Sequence, residues 1–326
     1  MNTAVRLLLA ISLSLTLTGH LLADTPRVLV SIKPIHSLVA GVMGGVAEPE
    51  LLISGGESPH DFTLRPSDAR KLNRADLVFW VGEALEAPLE HILENLAGKD
   101  RVFGLLEAPG IEQLPMREGG VWEGHAHAED DHHHEAEHDH HHEAGDEEHR
   151  EINPHIWLSP SNAARIVNLA VQELSRIDAA NGSQYRANAD AVLNRLGSLD
   201  SELEKRVTPV LQTPYIVFHD AYPYFENHYG LNSVGSVTLS PERIPGARRV
   251  HELRLKVRAL GARCVFSEPQ FEPKLVRTIT EGTDAGIGVL DPLGANLKAG
   301  EDAYFKLMHN LADALVDCLG SSSQEQ

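Results

Sequence analysis

The sequence predicts an α/β protein: two β/α lobes, each with a central, mainly parallel sheet, joined by a long rigid helix. Three observations carry this prediction. Short apolar or β-branched runs alternate with segments of helical spacing over residues 27–82. The same alternation returns over residues 215–291, and an extended amphipathic stretch lies between the two.

In the first lobe, Arg27 to Ile32 (RVLVSI) reads as a strand, and Ile35 to Met43, after Pro34, as a helix closed by Gly44-Gly45. Glu50 to Ile53 is a second strand. Pro66-Ser67-Asp68 opens a helix, and Leu77 to Val81 (LVFWV) is a continuous apolar strand ended by Gly82. In the second lobe the strands are Tyr215–Phe218, Cys264–Phe266 and Gly288–Asp291, and the helices are Ala221–Tyr229, a body within Pro241–Leu260, and Leu275–Glu281. Between the lobes, Asn162–Ile177 and Ser183 to about Val207 place apolar residues three and four apart, with Val192, Leu193, Leu196, Leu199 and Leu203 on the second. At a rise of about 1.5 Å per residue, this linking helix is long enough to run beside both lobes.

The N-terminus carries Arg6, an apolar run from Leu7 to Thr18 and then Leu21-Leu22-Ala23, the pattern of a secretory signal. The chain therefore divides into a signal peptide (1–23), an N-terminal lobe (24–182), the linking helix (183–208), a C-terminal lobe (209–320) and a short tail (321–326). Export permits a disulfide, and the two cysteines, Cys264 and Cys318, are expected to be bonded, although their positions in sequence do not place their Cα atoms within bridging distance.

Lys and Arg total 28 against 47 Asp and Glu, a formal charge of −19, which argues against nucleic acid or an anionic membrane as partner. The 19 histidines point instead to metal. Ten of them (His125, His127, His132, His133, His134, His138, His140, His141, His142 and His149) fall in residues 125–149, with ten Asp or Glu and no Lys or Arg, inside the segment 119–150. This segment, 119–150, lacks the apolar side chains that a fold of its own requires, and reads as a disordered surface loop with many weak sites for Zn²⁺.

Among the other histidines, His60 (SPHDF), His155 (NPHIW) and His219 (VFHDA) lie in loops after strands or beside helix starts, where open α/β sheets build ligand sites. A single loop histidine is commonly a surface residue; three in such positions form a candidate triad. His36 reads as a helix-start residue, His91, His251 and His309 as solvated helix positions, and His228 as a possible auxiliary site. Glu268 in SEPQF reads as structural or as support for a ligand, while Asp61 and Asp220 could orient a loop or a ring N–H. Trp157 and Phe218 read as cleft wall or core.

The pieces SPHDFTLRPSDARKL, NPHIWLSPSNA, VFHDAYPYFENHYGL, SEPQF and LDPLG, in this order across the mature chain, resemble the zinc-binding solute-binding proteins of bacterial ABC zinc importers. The wider group also carries manganese and iron. The resemblance implies one metal site in the interlobe cleft, with Zn²⁺ as transported ligand and His60, His155 and His219 as its ligands. It also implies a Cys264–Cys318 disulfide, a periplasmic location, no enzymatic activity, a monomeric state, and an inner-membrane permease with its ATPase as partners. Manganese-type relatives use an Asp at the position of Asp291, and some zinc relatives a Glu immediately before the first His. Here that residue is Pro59, and Glu57 stands at another offset, so the fourth position falls to Asp291 or to water, with water favoured.

Two competing classes remain open at this level. Three His plus water is also a catalytic zinc arrangement, but none of these three histidines lies in an HExxH motif and no recognisable general base paired with oxyanion donors accompanies them to support a secreted hydrolase. A zinc buffer or adhesin without a transporter is the other. Within import, manganese or iron is the alternative cargo.

Overall fold

The computed structural model describes residues 25–95, 98–117, 151–238 and 245–321. The signal peptide (1–23), the His/acid-rich segment (119–150) and all but the first residue of the tail (321–326) lie outside these residues.

The first lobe runs β1 (Val28–Ile32), α1 (Lys33–Met43), β2 (Glu50–Ile53), α2 (Pro66–Arg74), β3 (Leu77–Trp80), α3 (Glu83–Glu94) and β4 (Val102–Gly104). The strands form one parallel sheet in the order β2-β1-β3-β4. Every residue of β1 is buried, as befits a strand covered on both faces. Then come α4 (Pro160–Ile177) and α5 (Gly182–Val207). The second lobe runs β5 (Tyr215–Val217), α6 (Pro223–Tyr229), β6 (Ser233–Ser236), α7 (Ala247–Ala259), β7 (Cys264–Ser267), α8 (Lys274–Thr280), β8 (Gly286–Val289) and α9 (Ala303–Leu319). Its sheet is also parallel, in the order β6-β5-β7-β8, so both lobes repeat one topology. The predicted fold class holds.

Prolines start four of these helices. α1, α2, α4 and α6 each carry Pro in the first turn, where a missing N–H removes no intrahelical bond. Ser159 caps α4 by accepting a hydrogen bond from the Asn162 N–H at 3.3 Å.

The long helix α5 has 26 residues, about 39 Å at 1.5 Å per residue. It buries Tyr185, Ala189, Val192, Leu196, Leu199, Leu203 and Val207, spaced three and four apart, against α1, α4 and α9. Gly41 on α1 permits this approach, since a Cβ there would lie 2.7 Å from Val192 Cγ2. Although α9 follows the second sheet, it packs on α1, and the Tyr304 N–H and hydroxyl donate to Ser37 Oγ and the Trp157 carbonyl, each at 2.9 Å. One core therefore runs from the first sheet through α5 and α9 to Tyr215, Val217 and Phe266 of the second. A smaller core of Ile216, Val265, Leu253, Val257 and Ile279 lies on the other face of that sheet.

Cys264 and Cys318 are bonded, joining β7 to α9 across 54 residues with Cα atoms 6.3 Å apart. In the chain-entropy treatment a loop of this size stabilises by about 4 kcal/mol. Reduction is expected to lower the urea midpoint by that amount divided by the m-value, measured on protein with and without a reductant.

The structure adds α3, β4, β6 and α9 to the elements read from sequence. It also ends β8 at Val289, two residues before Asp291. The reason is an inverted pattern: Ile287 and Val289 point outward, 47% and 53% exposed, while a Cβ on Gly288 would come within 2.4 Å of the Phe266 ring. Glycine occupies the packed face.

Candidate metal centre

Three loops converge at the C-terminal ends of the strands, where parallel sheets leave a crevice. His60 lies in a 3-10 turn, Pro59–Asp61, whose N-cap Ser58 accepts the His60 N–H at 3.3 Å. His155 precedes another such turn, Ile156–Leu158, and His219 follows β5 by two residues. His60 is partly exposed, whereas His155 and His219 are both 4% exposed. A candidate ligand atom from each of the three lies within 4.8 Å of the other two, the one such group of His, Cys, Asp or Glu found among the described residues.

The buried rings are fixed by acceptors. Asn153 Oδ1 takes the His155 N–H at 3.1 Å and faces its Nδ1 at 2.9 Å. Glu268 Oε1 faces His219 Nδ1 at 2.7 Å and takes its backbone N–H at 3.3 Å. A carbonyl or carboxylate oxygen can only accept, so each Nδ1 carries a proton, and in the neutral ring Nε2 keeps its lone pair. Those two Nε2 atoms stand 3.2 Å apart. Two lone pairs at this distance repel unless a cation lies between them. For Zn–N bonds of about 2.0–2.1 Å in a tetrahedron, two ligand nitrogens sit about 3.3 Å apart, so the geometry fits zinc.

The same bonding partners tie the three histidine loops together. Asn153 is fully buried; its Nδ2 donates to the carbonyl of Asp220 at 2.6 Å, and its own carbonyl accepts the Tyr224 hydroxyl at 2.8 Å. Asp220 pairs not with a ring but with Arg117, whose Nε donates to Asp220 Oδ1 at 2.8 Å and Nη1 to Glu226 Oε2 at 2.7 Å. Leu114 and Met116 bond to Asn153 and Glu151, and Pro115 bridges Ile152 in antiparallel fashion, so 114–117 and 151–153 meet as a ribbon leading into His155. Trp157 is buried, donates to the Pro292 carbonyl at 2.8 Å and stands 5.2 Å from the His155 ring. Phe218 stacks on Phe271 at 4.8 Å.

Asp291 is not brought into the cluster. Its Oδ1 accepts from the N–H groups of Leu293 and Gly294 and from Gln270 Nε2, and its Oδ2 from the Ala295 N–H, all at 2.6–3.1 Å. Lys33, from the other lobe, clamps this turn by donating to the carbonyls of Gly294 and Ala295 at 2.5 and 3.0 Å. Asp61 is exposed. His36 is buried on the Pro49 carbonyl at 2.9 Å, His91 and His251 are exposed, His309 lies 3.5 Å from Glu202, and His228 pairs with Asp200 at 2.7 Å. The ten loop histidines lie outside the described residues. Asn153, Arg117, Lys33 and Gln270 had no local signal beyond a charged or amide side chain within an otherwise unexplained loop.

Burial, followed by the neighbouring His219 and His60, holds the pKa of His155 well below the ordinary histidine value, so its ring is neutral and ready for a cation. Burial lowers His36 as well. Buried Glu86 is pushed the other way, up to about 7. Unfolded histidines protonate near 6.5, before these folded ones do, so metal-free stability falls as pH drops through that value. Glu86 opposes this trend, because between its ordinary value and about 7 the folded state binds its proton more tightly. In Glu86→Gln, which keeps an acceptor for the N–H groups of Val81 and Gly82, the acid-side loss should be steeper than in the unsubstituted chain. Urea midpoints of chelated protein at pH 7.5 and 5.5 measure it.

Two parallel-sheet lobes over a shared core, with three imidazoles converging between them, define a solute-binding protein built for a metal ion. The chain belongs to the ZnuA family, described as zinc-uptake complex component A, periplasmic, which matches residues 28–318. It is 44% identical over 313 residues to the high-affinity zinc uptake system protein ZnuA of Brucella abortus (strain 2308), covering 92% of this chain and 94% of the relative. To the protein of the same name from Yersinia pestis it is 36% identical over 304 residues, covering 90% and 91%. A crystal structure of ZnuA superposes with a TM-score of 0.73 at 25% identity, covering 91% of this chain and all of that one.

Proposed function

We propose that this chain captures Zn²⁺ in the periplasm through His60, His155 and His219 and delivers it to an inner-membrane ABC permease driven by its ATPase. The observation that carries the reading is the facing pair of Nε2 atoms, 3.2 Å apart with both Nδ1 positions committed to oxygen acceptors. Zinc is cargo here, and no covalent chemistry is assigned to the protein. Neutral imidazoles favour zinc over manganese, which prefers more oxygen ligands. Residues 1–23 act as the export signal, and the histidines of 119–150 supply weak auxiliary zinc sites. Competitive titration of the mature chain lacking residues 125–149 should show one tight zinc site and much weaker manganese binding. Equal affinity for the two metals would transfer the proposal to a manganese-type importer.

A further inference from the structure

Gln270 shares the walls of the metal pocket with His60, His155, His219 and Glu268. It sits in the turn after β7, closed by the Phe271 N–H donating to the Glu268 carbonyl at 3.2 Å. Its Nε2 donates to Asp291 Oδ1 at 3.1 Å. Because a carboxylate already loaded with backbone N–H groups offers only acceptors, the amide can face it solely through its NH₂. The amide orientation is thereby fixed, and Oε1 is turned away from Asp291. This oxygen is buried and has no donor in the protein. Buried acceptors require a donor, and a pocket of three imidazoles leaves one tetrahedral position for a small oxygen ligand.

We propose that Gln270 is a positioning residue for the captured ion: its Oε1 accepts a hydrogen bond from the water that completes the coordination, and Asp291 keeps the amide turned to do so. On this view Asp291 acts on the metal through Gln270, not as a ligand. The inference rests on the triad reading above, so its test must separate the two.

The experiment uses the full mature chain, with Zn²⁺ competition for affinity and the visible absorption of the Co²⁺-loaded protein for geometry. Gln270→Leu should keep one tight zinc site, with affinity reduced about tenfold, the lower end of the loss expected when a group supporting a ligand is removed. The cobalt bands should change, and their pH midpoint should move down, because a neutral acceptor bonds water better than hydroxide. An unchanged cobalt spectrum and midpoint would overturn the proposal whatever happens to affinity, since a merely structural role would move stability and affinity alone. His155→Ala, run alongside, reports on the triad: loss of the tight site sustains that reading in either case. Retention of it would end both.

Discussion

His155→Ala or His219→Ala should lower zinc affinity by more than about 100-fold, beyond the 10–100-fold range for losing an outer-shell partner. Each removes an Nε2 from the facing pair and leaves two candidate imidazoles, too few for a tight site. The effect should not come from unfolding, because the acceptors survive. Asn153 remains held by Asp220 and Tyr224 after loss of the His155 ring, and Glu268 still accepts the backbone N–H of residue 219. Glu268→Gln provides the internal scale. It keeps an oxygen acceptor for Nδ1 but loses the charge, so a decrease of about tenfold is expected. Competition titration with a chromophoric chelator measures all three. If Glu268→Gln matched the histidine variants, the carboxylate would be doing more than orienting a ring.

The contrast between residues also shows what a linear chain discloses. His60, His155 and His219 were legible because each is a rare side chain in a loop following a strand or beside a helix start, a local signal. The two sheets were legible because parallel strands buried on both faces leave continuous apolar runs such as LVFWV. β8 was misplaced by two residues because its packed face is glycine and its apolar side chains face outward, the reverse of the usual rule. The partners that fix the histidines were hidden for another reason. Asn153 meets Asp220 across 67 positions, His219 meets Glu268 across 49, and Arg117 meets Asp220 across 103. No local periodicity encodes such meetings; they exist only once both sheets have formed.

The shared core bears on how the three histidines are held. α5 and α9 bind both lobes into one apolar body, so a wide opening would expose core residues such as Leu196, Leu203 and Leu311. The parts left to adjust are the loops carrying the three histidines, and these are cross-braced: Asn153 links the His155 loop to Asp220, Lys33 links β1's end to the 291–295 turn, and Arg117 links the ribbon before His155 to the turn after His219.

Of these braces Arg117 should matter most to stability. Its guanidinium, one quarter exposed, is bonded to the carboxylates of Asp220 and Glu226, whose side chains are 0% and 4% exposed. Burial raises the pKa of Glu226 and Asp220 raises it further, while Arg117 pulls it down; Tyr215, donating to Glu226 at 3.0 Å, contributes in the same sense as Arg117. Arg117→Met would fill much of the space yet leave two buried carboxylates side by side without the Arg117 cation. Breaking such a pair costs about 3–5 kcal/mol. The sign of its pH dependence follows from Glu226: with Arg117 gone its folded pKa rises further above the unfolded value, so stability is lost as pH rises through that range. The deficit, read from urea midpoints, should therefore be larger at pH 8 than at pH 5. Arg117→Met combined with Glu226→Gln should recover part of it, since one buried charge then disappears. Equal losses at both pH values, with no recovery in the double variant, would mean that Arg117 acts through packing of its stem and not through its charge.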